Sequence, residues 1–403
     1  MEGQDDLENK VYLDHAATTP VLPEVLDAMV DVYQHHYGNA SSLHSVGQDA
    51  KQLMETARET VAKVLGANPA EIVFTGSGTE ADNIAIQGAA FALKKKGNHV
   101  ITSNIEHPAV RNTVKYLENF GFKTTEVPVD QDGIIMLDKL EEAITPKTTL
   151  ITVMYGNNEI GTIQPIKEIG ELAASKGIIF HTDAVQAFGK IPIEPETDGF
   201  HMLSASAHKI YGPKGVGLLY IKNGGMLQGI GKFLQPIIQG GGHERGIRSA
   251  TENVPGIVGF AKACEIAMDT METEGERERK LRDDLMAGIL EIEDTTINGH
   301  RTRRLPNNVN ASFNHVEGES LLLRLDMAGY ECSTGSACSS HDLKASHVLT
   351  AIGCDPEIAH GSLRITLGRS TTEDIVTRFL VDLKEIVDNL RAISPTWKKS
   401  HSE

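Results

Sequence analysis

The first 220 residues alternate between short apolar runs and longer stretches with apolar residues at helical spacing. The runs predict buried strands, and the stretches predict helices that pack against them. The predicted strands are 71–74, 99–102, 123–127, 150–154, 178–181 and 215–221, and the predicted helices between them include 80–95, 109–120 and 166–176. Such alternation predicts a mostly parallel sheet covered by helices on both faces. Ligands of sheets of this kind bind beyond the carboxyl ends of the strands.

The pattern changes after residue 221. Glycines punctuate residues 223–242, a stretch too long for an ordinary connector, which predicts a functional loop or an intersubunit arm. A long helix is predicted over 252–274, and the charged run 274–284 that follows it is expected to be a solvated helix face.

The last third of the chain predicts a smaller α+β unit. Its predicted strands are 308–313 and 362–366, and its predicted helices are 319–327 and 371–390. Thr371 and Asp374 have the spacing of a capping box at the start of the final helix. We therefore predict an α/β fold in which residues 14–258 form a large domain, and residues 1–13 and 259–403 form a small one.

Composition narrows the class of protein. The 403 residues are 40% hydrophobic and 23% charged, so the chain can bury a core. With 38 basic and 55 acidic residues the net charge is −17, which argues against a nucleic-acid partner. Four cysteines without a C-x-x-C pair predict neither a disulfide framework nor a structural zinc site. With no apolar run of membrane-spanning length and no apolar leader, we expect a cytoplasmic protein.

A small-residue run, Gly76–Thr79, follows the first predicted strand and opens a helix. Small residues let the backbone approach a phosphate group, and a helix N-terminus offers N–H donors and a positive dipole end. The run lacks the lysine of a P-loop and the spacing of a dinucleotide fingerprint. An ordinary tight turn before a helix therefore stays open as the alternative.

Two further positions complete a recognisable set of groups. Asp183 follows the strand 178–181, where its carboxylate would pair with a protonated ring nitrogen or simply cap a helix. Lys209 lies among Ser206, His208 and glycines near another strand end, a setting that suits an amine forming a Schiff base. A lysine, a carboxylate and a phosphate cradle together are what pyridoxal 5'-phosphate (PLP) requires.

Cys338 lies in the small-residue run 335–340, with no apolar residues close to it in sequence. An exposed thiol of this kind suits a nucleophile, although an incidental loop cysteine stays possible. Cys332 lies six residues earlier, which leaves a redox or metal pair open. Cys264 and Cys354 lie in apolar or turn contexts and are expected to be inert.

At this point a family resemblance covers nearly the whole chain. The chain resembles the cysteine desulfurases of the NifS/IscS type, within the class V aminotransferase group of fold-type I PLP enzymes. The motifs that carry the resemblance are 12–20, 38–42, 79–83, 106–107, 157–161, 208–215 and 240–246. Their number and order make a chance match untenable.

The resemblance implies roles for individual residues. Lys209 would carry PLP, His107 would stack on its ring, Asp183 would hold the ring nitrogen protonated, and Gln186 would contact the phenolic oxygen. The implied phosphate ligands are Gly78, Thr79, Ser206 and His208, joined by Thr251 of the neighbouring subunit in a homodimer. The implied ligands of the substrate carboxylate are Arg364, Asn39 and Asn158, of which Asn158 would also contact the cofactor. No metal ligand is predicted.

The activity implied is removal of sulfur from L-cysteine. Cys338, in a segment of about 333–343, would take the sulfur as a persulfide and release L-alanine. The sulfur would then pass to an iron–sulfur scaffold or another acceptor protein. The alternatives are a selenocysteine lyase or another class V PLP enzyme, and a non-enzymatic sulfur or Fe–S scaffold that uses Cys332 and Cys338.

Overall fold

The computed structural model of the chain describes residues 10–334 and 345–400, the side chains of 398–400 excepted. Its strands are β1 (Val11–Tyr12), β2 (Ile72–Thr75), β3 (His99–Ser103), β4 (Lys123–Val127), β5 (Thr148–Thr152), β6 (Ile179–Asp183), β7 (Met202–Ser206), β8 (Gly217–Ile221), β9 (Met226–Leu227), β10 (Gly231–Lys232), β11 (Thr295–Ile297), β12 (Asn308–Phe313), β13 (Tyr330–Glu331) and β14 (Ser362–Thr366). Its α-helices are α1 (Pro23–His35), α2 (Ser45–Val64), α3 (Gly78–Leu93), α4 (Pro108–Tyr116), α5 (Leu137–Ala143), α6 (Ile166–Ser175), α7 (Pro195–Asp198), α8 (Val254–Leu290), α9 (Gly318–Met327), α10 (His347–Ala351), α11 (Pro356–His360), α12 (Glu373–Ile393) and α13 (Pro395–Ser400).

Within the described residues, a seven-stranded sheet has the order β2-β8-β7-β6-β5-β3-β4. Only β8 runs against its neighbours, β2 and β7, so the other six strands point the same way. The predicted α/β class is confirmed, and each predicted strand of the first 220 residues lies in this sheet. Strand β7 was not predicted, because its sequence Met-Leu-Ser-Ala-Ser has only two large apolar residues.

Both faces of this sheet are buried. Along the strands, Leu150 and Ile179 lie in a hydrophobic cluster with α3 and α4, whereas Ile151 and Phe180 lie in a cluster with α2, α6 and the first half of α8. Alternate strand residues point to opposite faces, so a two-sided cover requires consecutive apolar residues. The continuous apolar runs in the sequence are explained by this double burial.

A three-stranded antiparallel sheet, β11-β12-β14, forms the centre of a third hydrophobic cluster. The second half of α8 covers it with Leu281, Leu285 and Ile289, and α9 and α12 add further apolar residues. Helix α8 therefore contacts this cluster and the one that contains Ile151 and Phe180 along its 37 residues. The predicted boundary at residue 258 falls inside this helix, and the division into two domains stays a prediction.

Three details differ from the sequence predictions. The charged run 274–284 belongs to α8 and is only partly solvated, because Glu278 and Arg282 are buried on the stripe that faces the core. The N-cap of α12 is Thr372, whose hydroxyl accepts from Ile375 N, so the capping box predicted for Thr371 is wrong. The glycine-rich stretch contains the short hairpin β9–β10. No helix of the described residues is long and apolar enough to cross a membrane.

Candidate active site

The carboxyl ends of the parallel strands surround a cavity of about 280 Å³. Asp183 is the last residue of β6, Ser206 is the last of β7, and the start of α3 follows β2 at the same edge. The cavity brings together ten of the residues predicted from the sequence, namely Gly78, Thr79, His107, Asn158, Asp183, Gln186, Ser206, His208, Lys209 and Arg364. This position agrees with the rule that ligands of parallel sheets bind beyond the strand ends.

Lys209 ends a short 3-10 turn that follows β7 directly. Its Nζ donates to Ala16 O at 2.5 Å and to Ala17 O at 2.7 Å, so two backbone carbonyls hold the amine at the cavity wall. Thr19 N donates to His208 O, which fixes the same turn to the N-terminal segment. A lysine held in this way has a defined position, unlike a solvated surface lysine.

The start of α3 has the features of a phosphate cradle. The Ser77 hydroxyl caps the helix by accepting from Glu80 N at 3.1 Å, and the N–H groups of Gly78 and Thr79 at the helix start have no intrahelical acceptor. A Cβ at Gly78 would lie 2.6 Å from Val185 Cγ2 and 3.5 Å from Ser206 Cβ, so only glycine leaves this space open. With Ser206 and His208 on the same cavity, the donor set fits a phosphate group.

Asp183 is buried at the end of β6 and accepts from Val185 N at 2.9 Å. Burial raises the pKa of its carboxyl group, while the neighbouring His107 and Lys209 act in the opposite direction. A buried carboxylate requires a cationic partner. A protonated ring nitrogen in the cavity would supply such a partner, so these residues fit PLP.

His107 is the N-cap of α4, and its Nδ1 accepts from Ala109 N at 3.1 Å. The neutral ring therefore carries its proton on Nε2. Burial lowers the pKa of His107, which favours this neutral form. A neutral imidazole held at the cavity wall suits both stacking on a flat ring and transfer of a proton.

Arg364 brings a buried guanidinium to the other side of the cavity. Its Nη2 donates to Asp14 Oδ1 at 2.8 Å and its Nη1 donates to Asn158 O at 3.2 Å. Its buried Nε has no hydrogen-bond partner among the described residues. A guanidinium with spare donor capacity is suited to a carboxylate ligand.

Two buried acids next to the cavity were missed by the sequence analysis. Asp82 lines the cavity and Glu106 precedes His107, and each has one carboxyl oxygen without a hydrogen-bond partner among the described residues. Burial raises the pKa of Asp82 well above its ordinary value, and the nearby Asp183 adds to the rise. The available signal was their position in two of the motifs that carry the family resemblance, 79–83 and 106–107, in which neither acid was given a role.

Two of the predicted residues that the structure describes, Asn39 and Thr251, do not line the cavity. Asn39 and Thr251 are exposed elsewhere on this chain, and Cys338 lies outside the described residues. Cys264 is buried in the core, and burial raises the pKa of its thiol, as expected for an inert cysteine. Over residues 10–334 and 345–400 no group of three or more metal-ligating side chains is present. The individual roles of the predicted site residues stay predictions.

The chain belongs to the class V aminotransferase family, because the sequence model of that family matches residues 11–379. It is 50% identical over 395 residues to "Cysteine desulfurase IscS" of Clostridium botulinum (strain Hall), with 97% of this chain and 98% of the relative covered. Among solved structures it is similar to "NIFS-LIKE PROTEIN", with a TM-score of 0.87, 40% identity, and coverage of 94% of this chain and 100% of that one.

A second solved structure is "SspA in complex with cysteine", with a TM-score of 0.77 and 37% identity. That similarity covers 88% of this chain and 98% of the other. The resemblance to NifS/IscS-type cysteine desulfurases, the PLP dependence and the fold-type I architecture are confirmed by these comparisons. The selenocysteine lyase and scaffold alternatives are not favoured.

Proposed function

We propose that this chain removes the sulfur of L-cysteine, forming L-alanine and a persulfide on Cys338. The observation that carries the proposal is the single cavity that holds Lys209, Asp183, His107 and the guanidinium of Arg364. The cysteine bound in the SspA structure supports a substrate of this kind. The sulfur would then pass to an acceptor protein for iron–sulfur cluster assembly.

The residues that line the cavity would have different roles in the reaction, according to where they lie. Gly78, Thr79, Ser206 and His208 would bind the phosphate of PLP, and Asp183 would hold its ring nitrogen. When bound, PLP supplies an electron sink for charge that develops at the substrate Cα. Lys209 would take and return a proton, and the position of its amine at the wall of the same cavity supports this role.

Arg364 would orient the substrate through its carboxylate, with Asn158 beside it. The Cys338 thiolate attacks the substrate sulfur, so that an S–S bond forms as the Cβ–S bond breaks. The proton that Cys338 loses when it forms the thiolate and the electron pair of the broken bond both end on Cβ, which becomes the methyl group of alanine. The homodimer, the scaffold partner and the cytoplasmic location belong to the same proposal.

Substitution of Cys338 by Ala tests the persulfide step. The variant should keep the visible absorption of bound PLP and lose sulfide and alanine formation from L-cysteine. The matched control is Cys264→Ala, since Cys264 is buried away from the cavity and should keep activity. Lys209→Ala should lose the absorption band itself. Full cysteine turnover by the Cys338→Ala variant would contradict the proposal.

A further inference from the structure

A chain of hydrogen bonds runs from Lys190 through Gln186 to the wall of the cavity. Lys190 Nζ donates to Gln186 Oε1 at 3.4 Å, and Gln186 Nε2 donates to Ala16 O at 2.9 Å. Lys209 Nζ donates to the same carbonyl oxygen at 2.5 Å. Gln186 and Lys209 both line the cavity, whereas Lys190 lies behind Gln186.

The chemistry of the donors fixes the direction of this chain. A primary amide has an acceptor end and a donor end, and an ammonium group can only donate. Lys190 therefore holds the oxygen of Gln186 on the far side, so the NH₂ group faces Ala16 and the cavity. If the amide group were flipped, it would fill the same volume, but its oxygen would face the Ala16 carbonyl oxygen and the two would repel each other. The charge on Lys190 also polarises the amide and strengthens its donor end.

The surroundings of Lys190 differ from those of a surface lysine. It lines a small cavity of about 40 Å³ with Lys209, Tyr211 and Glu278, the last contributed by α8. Burial lowers the pKa of Lys190 to about 8 and raises the pKa of Glu278 to about 7. Glu278 is the anion that offsets the Lys190 charge, while Arg364 repels it. A cation kept in such a place is costly unless it interacts with specific partners.

We propose that Lys190 is a positioning residue for the cofactor site, which directs the NH₂ group of Gln186 toward an acceptor oxygen in the cavity. The inference rests on the proposed function, because that acceptor would be an oxygen on the ring of PLP. It assigns a role to a lysine that does not line the main cavity and does not react.

The test compares Lys190→Met, which keeps the length of the side chain without a donor, with Lys190→Arg, which keeps a charged donor. The readouts on the holoenzyme are the pH titration of the visible PLP absorption and the rate of PLP loss on dilution. In Lys190→Met the titration midpoint should shift and PLP retention should fall about tenfold, since one charge-assisted hydrogen bond is lost. Lys190→Arg should restore most of both properties. Lys139→Met, an exchange at a surface lysine, should behave as wild type.

Lys190→Met leaves the buried Glu278 with Arg277 and Arg369 as its remaining cationic neighbours, so the double variant Lys190→Met/Glu278→Gln is measured alongside it. Glu278→Gln alone keeps the donor and should leave the PLP spectrum unchanged. A wild-type titration and wild-type PLP retention in the double variant would overturn the inference, as would equal losses in Lys190→Met and Lys190→Arg. If the wild-type chain bound no PLP, the proposed function would fail first, and the role of Lys190 with it.

Discussion

Glu106 shows how strongly burial controls a single side chain next to the site. Its Oε1 accepts from Ser103 Oγ at 2.6 Å and from Met154 N at 2.9 Å, while Oε2 has no hydrogen-bond partner among the described residues. Burial raises the pKa of Glu106 to about 8, so the group is protonated at neutral pH. A neutral acid here leaves Asp183 as the carboxyl group with cationic neighbours.

Glu106→Gln is expected to flatten the dependence of stability on pH. In the unfolded chain the pKa of Glu is about 4.3, so between that pH and about 8 the folded form holds a proton that the unfolded form has lost. Raising the pH through this window therefore lowers the free energy of unfolding of the wild type, by about 1.4 kcal/mol per unit. The Gln variant has no proton to lose at this position, so its stability lacks this dependence on pH. Urea unfolding at several pH values measures it.

The control for this prediction is Glu59→Gln at an exposed position, which should reproduce the wild-type curve. Parallel stability curves for wild type and Glu106→Gln between about pH 5 and about pH 8 would show that Glu106 is already ionised in the fold.

The sequence predicted the site better at strand ends than inside helices. Asp183 follows an apolar run, and the end of a parallel strand has a known relation to the ligand site. Lys209 was predicted from its Ser, His and Gly neighbours, since the strand before it, β7, was not predicted. Asp82 and Glu106 were given no role, because the burial of a carboxyl group depends on which surface its helix or turn packs against. That information comes from packing between distant segments, which a single sequence does not display.

At the scale of elements, a buried ion pair ties the segment just after the glycine-rich stretch to the central sheet. Arg58 on α2 donates to both carboxylate oxygens of Glu244, at 2.7 and 2.8 Å, and Phe74 N on β2 donates to Glu244 Oε2. Glu244 and Arg245 have φ of 48° and 55°, a left-handed backbone that non-glycine residues rarely adopt. The ion pair holds this segment in place despite its unfavourable backbone.

Removing one partner of this ion pair should lower the stability of the fold. Glu244→Gln removes the buried partner of the Arg58 guanidinium and leaves the half-exposed Glu55 as its remaining opposite charge. We therefore expect the free energy of unfolding to fall by about 3 kcal/mol, the lower end of the loss for a broken buried ion pair. The double variant Arg58→Met/Glu244→Gln should recover part of the loss, because it removes the buried guanidinium charge as well. Denaturant unfolding of the single and double variants gives the comparison.

An exposed pair provides the control. Lys384 and Asp388 lie one turn apart on α12, and Asp388→Asn should change the unfolding midpoint very little. A small effect of Glu244→Gln, similar to that of Asp388→Asn, would mean that solvent reaches the Arg58 site.

Secondary structure was predicted where apolar periodicity is simple, as in β12 and β14, which match their predicted bounds. It failed where two signals compete. In α8 a dense charged run conceals Leu281 and Leu285, which belong to the buried stripe, and the buried charges Glu278 and Arg282 lie on that same stripe. At the start of α12, two adjacent threonines have a hydroxyl that can cap the helix. Thr371 is buried and its hydroxyl accepts from Gly368 N, so Thr372 is the N-cap.

At the scale of the whole molecule, the N-terminal segment links the seven-stranded sheet to the three-stranded sheet beside the site. Strand β1 pairs with β13, while Ala16 O, a few residues later, accepts from Gln186 and Lys209. Arg364 on β14 reaches Asp14 in the same segment. The cavity is therefore built from several parts of the chain that are distant in sequence.

The predicted homodimer has a direct test in mixed subunits. Thr251 is exposed on this chain and is predicted to serve the neighbouring site. Lys209→Ala and Thr251→Asp should each be inactive, the second because an added anion repels the cofactor phosphate. Random mixing of the two should restore about a quarter of wild-type activity, since half of the dimers are mixed and each has one intact site. Alanine formation measures the recovery.

Mixing after separate folding provides the control, because subunits that do not exchange should stay inactive. If coexpressed subunits were equally inactive although mass analysis shows mixed dimers, Thr251 would not act across an interface.

Helix α8 couples the stability of two hydrophobic clusters, the one around Ile151 and Phe180 and the one around the three-stranded sheet. At about 1.5 Å per residue its 37 residues extend about 55 Å, and its two halves carry apolar side chains into different cores. Loss of either core would leave half of a continuous helix with one side in water, where an isolated helix is only marginally stable. Opening of one core therefore weakens the other, so the chain should lose its structure as one cooperative unit.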